Sequence, residues 1–415
     1  MFKPHYRICC VAFLLDFAVM AGMVATPFFI QDYLKGGPAM LGLFAGVHAS
    51  TYALTCFVSS WFVSRAKNGL TLAFWGVFVF VSLFSLMPLF RTPARCLGVS
   101  TLAVSALAFV WPALHSWVGG ERDPKLRARF ISLFNISWSF GFALSPLAAG
   151  PLYERHYYLP YLMLIVVCVL VMTLIRSLPH ESDHFALPSE ELIEATAEHN
   201  RASAGFLYMA WCVTIVGSGL AQITRSVFTK RLAELVTDGR LRLFAEATPP
   251  AILTEAPATK YSWIAFSLCI TTAVVFLILG RTQRWHHRFR YAVCSQLAAA
   301  GAFWVLARTE SLVAMGACFI VVGANLGLAF YSSSYYGLSD AEHKHRNAAI
   351  NEFAVGAGGV LCLLAGTLVA QFGFVATFSS TPLFVLGAIV LQALLLAYGK
   401  ARMARGERSA TPATG

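Results

Sequence analysis

Residues 8–31 read ICCVAFLLDFAVMAGMVATPFFIQ, and the one formal charge among them is Asp16. A helix rises 1.5 Å per residue, so this run would span about 36 Å, more than the ~30 Å hydrocarbon core of a bilayer. A helix also closes its own backbone hydrogen bonds, which is the condition for crossing lipid. The run is too long for the apolar core of a cleavable leader, and a second one follows it closely. Similar runs recur at roughly 41–64, 70–90, 97–118, 130–153, 158–178, 204–225, 262–280, 287–307, 311–335, 347–370 and 377–399. The expectation is an all-α membrane protein with twelve transmembrane helices.

Composition points the same way. Of 415 residues, 58% are hydrophobic and 12% charged. A soluble domain carries roughly 25% charged residues. This balance excludes an ordinary cytosolic enzyme, a disordered chain and a secreted disulfide scaffold. The net charge of +11 comes from basic residues spread thinly between apolar runs. They form no basic face, so no nucleic-acid partner is expected. The ten cysteines fall in or beside the apolar runs without a C-x-x-C spacing. They read as packing residues, with no metal site, disulfide framework or cofactor expected.

Lys and Arg set the expected orientation, because cytoplasmic loops carry the excess of positive charge. With the N-terminus inside, 20 of the 31 basic residues fall on the cytoplasmic side. Of the other eleven, six are Arg225 and the five basic residues of one long loop, 226–260, where the rule is weak. Both termini are therefore expected in the cytoplasm, in a cell membrane.

Two stretches break the pattern. Residues 179–203 are polar and acidic, and Ser189 could cap a short surface helix there. This stretch falls halfway along the chain and reads as a cytoplasmic linker between two six-helix bundles, 1–178 and 204–399. Residues 400–415 would form a cytoplasmic tail. The second stretch is an outer loop, 226–260. In it Phe228, Leu232 and Leu235 recur at helical spacing beside Lys230, Arg231 and Glu234, which predicts an amphipathic helix before Pro249-Pro250.

The halves also repeat. Arg65 follows Ser60-Trp-Phe-Val-Ser64 after the second run, and Arg281 follows Phe276-Leu-Ile-Leu-Gly280 after the eighth. Asn135 precedes Ala149-Gly150, and Asn351 precedes Ala365-Gly366. Each pair is offset by 216 positions. A constant offset over this distance reads as a duplicated block. Repeated halves commonly hold their substrate at the midplane interface.

With these features in place, the chain resembles the major facilitator superfamily over nearly its whole length. The loop after span two is where that family carries G-x-L-x-D-R-x-G-R-R. Arg65 matches its arginine, while Ser60 replaces the first glycine and Ser64 the aspartate. Arg281 is the copy in the second half, with Gly280 at the acidic position. Span five reads Gly141-x-x-x-Ser145-Pro146-x-x-Ala149-Gly150, a small-residue version of the G-x-x-x-G-P-x-x-G-G of exporters. Thr26-Pro27 and Leu41-Gly42-Leu43 also fit the family's first two spans. The resemblance implies secondary transport of a small solute by alternating access, with spans one, four, seven and ten lining a cavity. It also makes Arg65 and Arg281 gating-loop candidates, although Ser64 removes the usual charge latch. Direction stays open, with a hint of export.

Ionisable groups at membrane depth are costly and so are functional candidates. Here they are Asp16, Glu352, His48, His115 and Arg225. A carboxyl group unpaired in low dielectric favours its neutral form, which suits a proton carrier. Against that, Glu352 could simply favour a helix N-terminus, His48 could be an interior hydrogen-bonded residue, and His115 and Arg225 could reach interfacial water. Asn135, Asn325 and Gln222 could contact a substrate or equally hold helices together. The expected partners are a small-molecule substrate, protons and the lipid bilayer, with the chain acting as a monomer. Two other readings compete. One is a membrane sensor or assembly partner on the same scaffold without flux. The other is a membrane enzyme at Asp340-Ala-Glu342-His343-Lys-His345, a loop that reads more simply as a solvated turn.

Overall fold

The computed structural model describes residues 4–65, 68–119, 124–179, 197–244, 256–282, 284–338 and 344–410. The predicted cap at Ser189 and the loop residues Asp340 to His343 lie outside them. The described residues are nearly all helical, with one isolated bridge between Arg242 and Ser311.

The helices are α1 (Pro4–Asp32), α2 (Pro38–Arg65), α3 (Gly69–Phe84), α4 (Pro93–Leu107), α5 (Val110–Gly119), α6 (Pro124–Arg155) and α7 (Leu159–Arg176) in the first half. The second half has α8 (Ala197–Arg225), α9 (Val227–Thr237), α10 (Pro257–Arg281), α11 (Phe289–Leu306), α12 (Leu312–Leu338) and α13 (Lys344–Ala410). Among the described residues ten helical stretches are long and apolar enough to cross a membrane. One, Ile350–Met403, is 54 residues long. It breaks at Gly373, whose φ of 81° is left-handed backbone that glycine adopts without a Cβ penalty. α6 is not among the ten, yet its 32 residues would span about 48 Å.

The structure departs from the sequence boundaries in several places. α4 and α5 break one apolar run at Ala108-Phe109. α8 begins at Ala197, inside the stretch read as linker, and α13 continues to Ala410, inside the predicted tail. In each case the helix outlasts or interrupts the apolar window, because backbone hydrogen bonding does not stop where hydropathy does.

The two halves meet along two seams, α2 against the first leg of α13 and α6 against α10. Small residues let the backbones approach. A methyl group added at Gly366 would lie 2.5 Å from the Pro38 carbonyl and 2.9 Å from the Gly42 Cα. One added at Gly150 would lie 2.5 Å from the Ala258 carbonyl and would collide with the Ser262 hydroxyl. Gly150 and Gly366 are 216 apart in sequence, and so are Gly42 and Ala258. The duplicated offset therefore corresponds to one contact made twice, once on each seam.

Buried polar pairs add specificity within the second half. Gln296 on α11 and Gln392 on the last leg of α13 exchange two amide hydrogen bonds of 2.8 Å, both side chains fully buried. In lipid such a pair holds helices together because neither amide has water to turn to.

Candidate functional site

Asp16 sits midway along α1, and the small-residue pattern of α6 fixes its height. A methyl group at Gly141 would strike the Phe13 carbonyl, and the Ser145 hydroxyl donates to the Phe17 carbonyl at 2.6 Å. These two contacts bracket Asp16 and bring the α6 backbone against α1. Gly141, Ser145, Pro146, Ala149 and Gly150 thus lie on a helix that touches α1 near its acid and α10 across the seam.

Three ionisable side chains from different helices, Asp16, Glu352 on α13 and Arg225 at the end of α8, interact electrostatically without direct contact. Glu352 accepts a hydrogen bond of 3.0 Å from the Tyr52 hydroxyl on α2, across 300 residues of sequence and across the seam between halves. Cys56, one turn further along α2, interacts with the same Tyr52 and Glu352. Asp16 itself makes no hydrogen bond and no ion pair within 4 Å among the described residues; the ion pairs between described residues are Lys230–Glu234 and Arg240–Glu310.

Arg225 ends its apolar run, a position that fits either a group at membrane depth or one that reaches interfacial water. In the structure α9 continues the chain after a break at Ser226 and buries Val227, Phe228, Leu232 and Leu235. The amphipathic helix predicted at Phe228, Leu232 and Leu235 is present, but its apolar face packs into the protein. It touches α1 through a 3.0 Å bond from the Gln31 amide to the Thr229 hydroxyl. Beneath it the Arg225 guanidinium lies 4.5 Å over the Phe142 ring of α6 and interacts with the Cys269 thiol of α10. Its Nε and Nη2 are buried with no hydrogen-bond partner among the described residues.

The remaining candidates lie apart from this trio. His48 binds Ser100 of α4 through Nε2 at 2.7 Å, inside the first half. Ser100 directs its one proton to the Cys96 carbonyl at 2.6 Å, so Nε2 is assigned as the donor. His115 is exposed beside the Phe134 ring, 5.2 Å between centroids. Asn135 accepts from the Trp138 indole at 3.0 Å, and Trp138 in turn packs edge-on against Phe276 and Phe330 of the second half. Asn325 is fully buried and accepts from Ser295 at 3.1 Å, its Nδ2 facing α8 near Gly217. Gln222 is half-buried one turn before Arg225. Arg65 and Arg281 are exposed at the ends of α2 and α10, Arg65 with its guanidinium 4.2 Å over Trp61. Among the described residues there is no group of three or more His, Cys, Asp or Glu side chains placed to hold a metal ion.

Sequence reasoning passed over Tyr52, Phe142 and Cys269. One signal was present for the first. His48, Tyr52 and Cys56 recur every four residues and form a polar stripe along α2.

This arrangement of helices matches known proteins at the level of fold. The structure superposes on the nucleoside transporter NupG with a TM-score of 0.70 at 13% identity, covering 95% of this chain and 99% of that one. It superposes on a POT family transporter in complex with a thioalcohol-conjugated peptide with a TM-score of 0.73 at 10% identity, covering 96% of each chain. For the peptide transporter POT in complex with sulfate the TM-score is 0.68 at 16% identity, covering 97% of this chain and 95% of that one. No curated protein sequence matches the chain. The family model of the Major Facilitator Superfamily matches residues 8–229, more than half of the chain. The apolar helices, the shared fold and that match together establish that the chain belongs to the Major Facilitator Superfamily, a family of membrane transporters and not of enzymes.

Proposed function

We propose that the protein is a proton-coupled secondary transporter whose two six-helix halves, residues 1–178 and 204–399 joined by the linker 179–203, rock around the Asp16–Glu352–Arg225 cluster. The count of twelve crossings takes the ten apolar stretches, adds α6, and divides the long stretch at Gly373. The positive-inside bias supports an orientation with both termini in the cytoplasm. One copy of the chain is taken as the working unit.

The observation that carries this reading is the charge balance of the cluster. With both acids ionised the trio has one net negative charge, and with one proton it is neutral. A charged side chain at the bilayer centre costs about 3 kcal/mol on insertion scales, so the neutral state is favoured when the cluster is sealed from water. A proton is thereby tied to the movement of the halves. Tyr52 supports the linkage, since its bond to Glu352 spans the seam that must shift when they rock. The small-residue pattern of α6 serves packing around Asp16, so direction is to be read from flux.

The protein reconstituted in liposomes with an entrapped pH-sensitive dye tests this. Nucleosides, dipeptides and small aromatic carboxylates are offered in turn from one side. Proton movement coupled to at least one class is expected, and its sidedness gives the direction. Binding without any solute or proton flux would support a sensor on the same scaffold instead.

A further inference from the structure

The two unpartnered atoms of Arg225 are not an arbitrary pair. Nε and Nη2 lie on the same edge of the planar guanidinium, and their N–H bonds point the same way. That edge is the fork that takes both oxygens of a carboxylate side-on. The Phe142 ring lies beneath the guanidinium plane, and the Cys269 thiol interacts with the same group. Asp16 is close enough to feel the charge yet makes no ion pair with it within 4 Å. A buried donor pair left unmet costs its full desolvation penalty, which a carboxylate bound side-on would offset.

We infer that Arg225 is the receptor for a carboxylate-bearing cargo with an apolar body, its Nε–Nη2 edge gripping the carboxylate while the body lies against the apolar wall that includes Phe142. The inference rests on the transporter reading and names its substrate class. It also gives the acids a second task. Asp16 and Glu352 are like-charged with the cargo, so the cargo binds best when a proton has neutralised one of them. Tyr52 and Cys56 on α2, Cys269 and Tyr261 on α10 and Arg225 itself are the other titratable groups around the pair.

The test measures binding, so that it fails independently of flux. The thermal unfolding midpoint of the purified full chain is titrated with phenylacetate, phenethylamine and phenethyl alcohol, which share a body and differ in head group. Phenylacetate should raise the midpoint, and the amine and alcohol should not. Arg225→Gln should weaken phenylacetate by about tenfold to a hundredfold, with Arg225→Lys in between, since a point charge lacks the fork. The midpoints of the two variants without ligand show that each has folded. Asp16→Asn supplies the opposite sign, because removing the like charge should tighten phenylacetate. Stabilisation by the amine but not the carboxylate, no response to any of the three, or an unchanged phenylacetate response in Arg225→Gln would each overturn the inference. Phenylacetate binding without flux would leave it standing and remove the transporter reading.

Discussion

Asp16→Asn is expected to reduce solute-driven proton movement to the level of protein-free liposomes while leaving the protein folded. Asparagine keeps the size of the side chain and removes the group that accepts and releases the proton. The seat of residue 16 does not depend on its charge. It is set by Gly141 and Ser145 of α6, which grip the α1 backbone at Phe13 and Phe17. The cluster then holds Arg225 and Glu352, which balance one another without a proton. Exchange of labelled solute between the two sides should therefore persist and should no longer depend on pH. Normal pH-dependent transport by the variant would remove Asp16 as the coupling residue.

Gly141→Ala should be among the most destabilising single changes in the chain. The added Cβ would collide with the carbonyl of Phe13, which is helix backbone and cannot rotate away. Overpacking of this kind costs about 1–3 kcal/mol, and more where the obstacle is rigid. Gly150→Ala meets the Ser262 hydroxyl and also the Ala258 carbonyl 2.5 Å away, so it too should destabilise, though one of its obstacles can turn aside. Gly98→Ala on α4 meets nothing within 4 Å and should stabilise slightly, by up to about 1 kcal/mol of helix propensity. Unfolding midpoints of the three variants in one detergent check the order. A Gly141→Ala protein as stable as Gly98→Ala would mean that α6 does not seat against α1 as described.

Hydropathy showed the membrane class, and periodicity showed the buried stripe of α9 at Phe228, Leu232 and Leu235. The constant offset of 216 was also legible, and its meaning became clear once Gly150–Ala258 and Gly366–Gly42 proved to be the same contact. Other features could not be read because they depend on which helices are neighbours. Asp16 and Glu352 stood out as lone acids in apolar runs, but nothing in the sequence joined them to each other or to Tyr52. The depth of Arg225 stayed open in the sequence for a definite reason. Hydropathy registers a charge as the end of a span, whereas the chain turns at Ser226 and continues as a second buried helix that covers the arginine. The break between α4 and α5 is likewise a departure inside an apolar run, where hydropathy gives no signal, whereas the left-handed backbone at Gly373 falls in the gap between the runs 347–370 and 377–399.

The central claim is that the halves rock about the charged cluster, opening one face as the other closes. Spin labels at Ser177 and Arg290 report the face that carries the termini, and labels at Arg95 and Arg308 report the opposite face; all four positions are exposed. Replacing the exposed Cys10 and Cys294 by alanine limits labelling elsewhere. Distance distributions from double electron–electron resonance are then compared at acidic and alkaline pH, in wild type and in Asp16→Asn. The account predicts that one pair lengthens as the other shortens, and that the shift with pH is lost in Asp16→Asn. Distances that stay fixed in both pairs, or that change together, would contradict it.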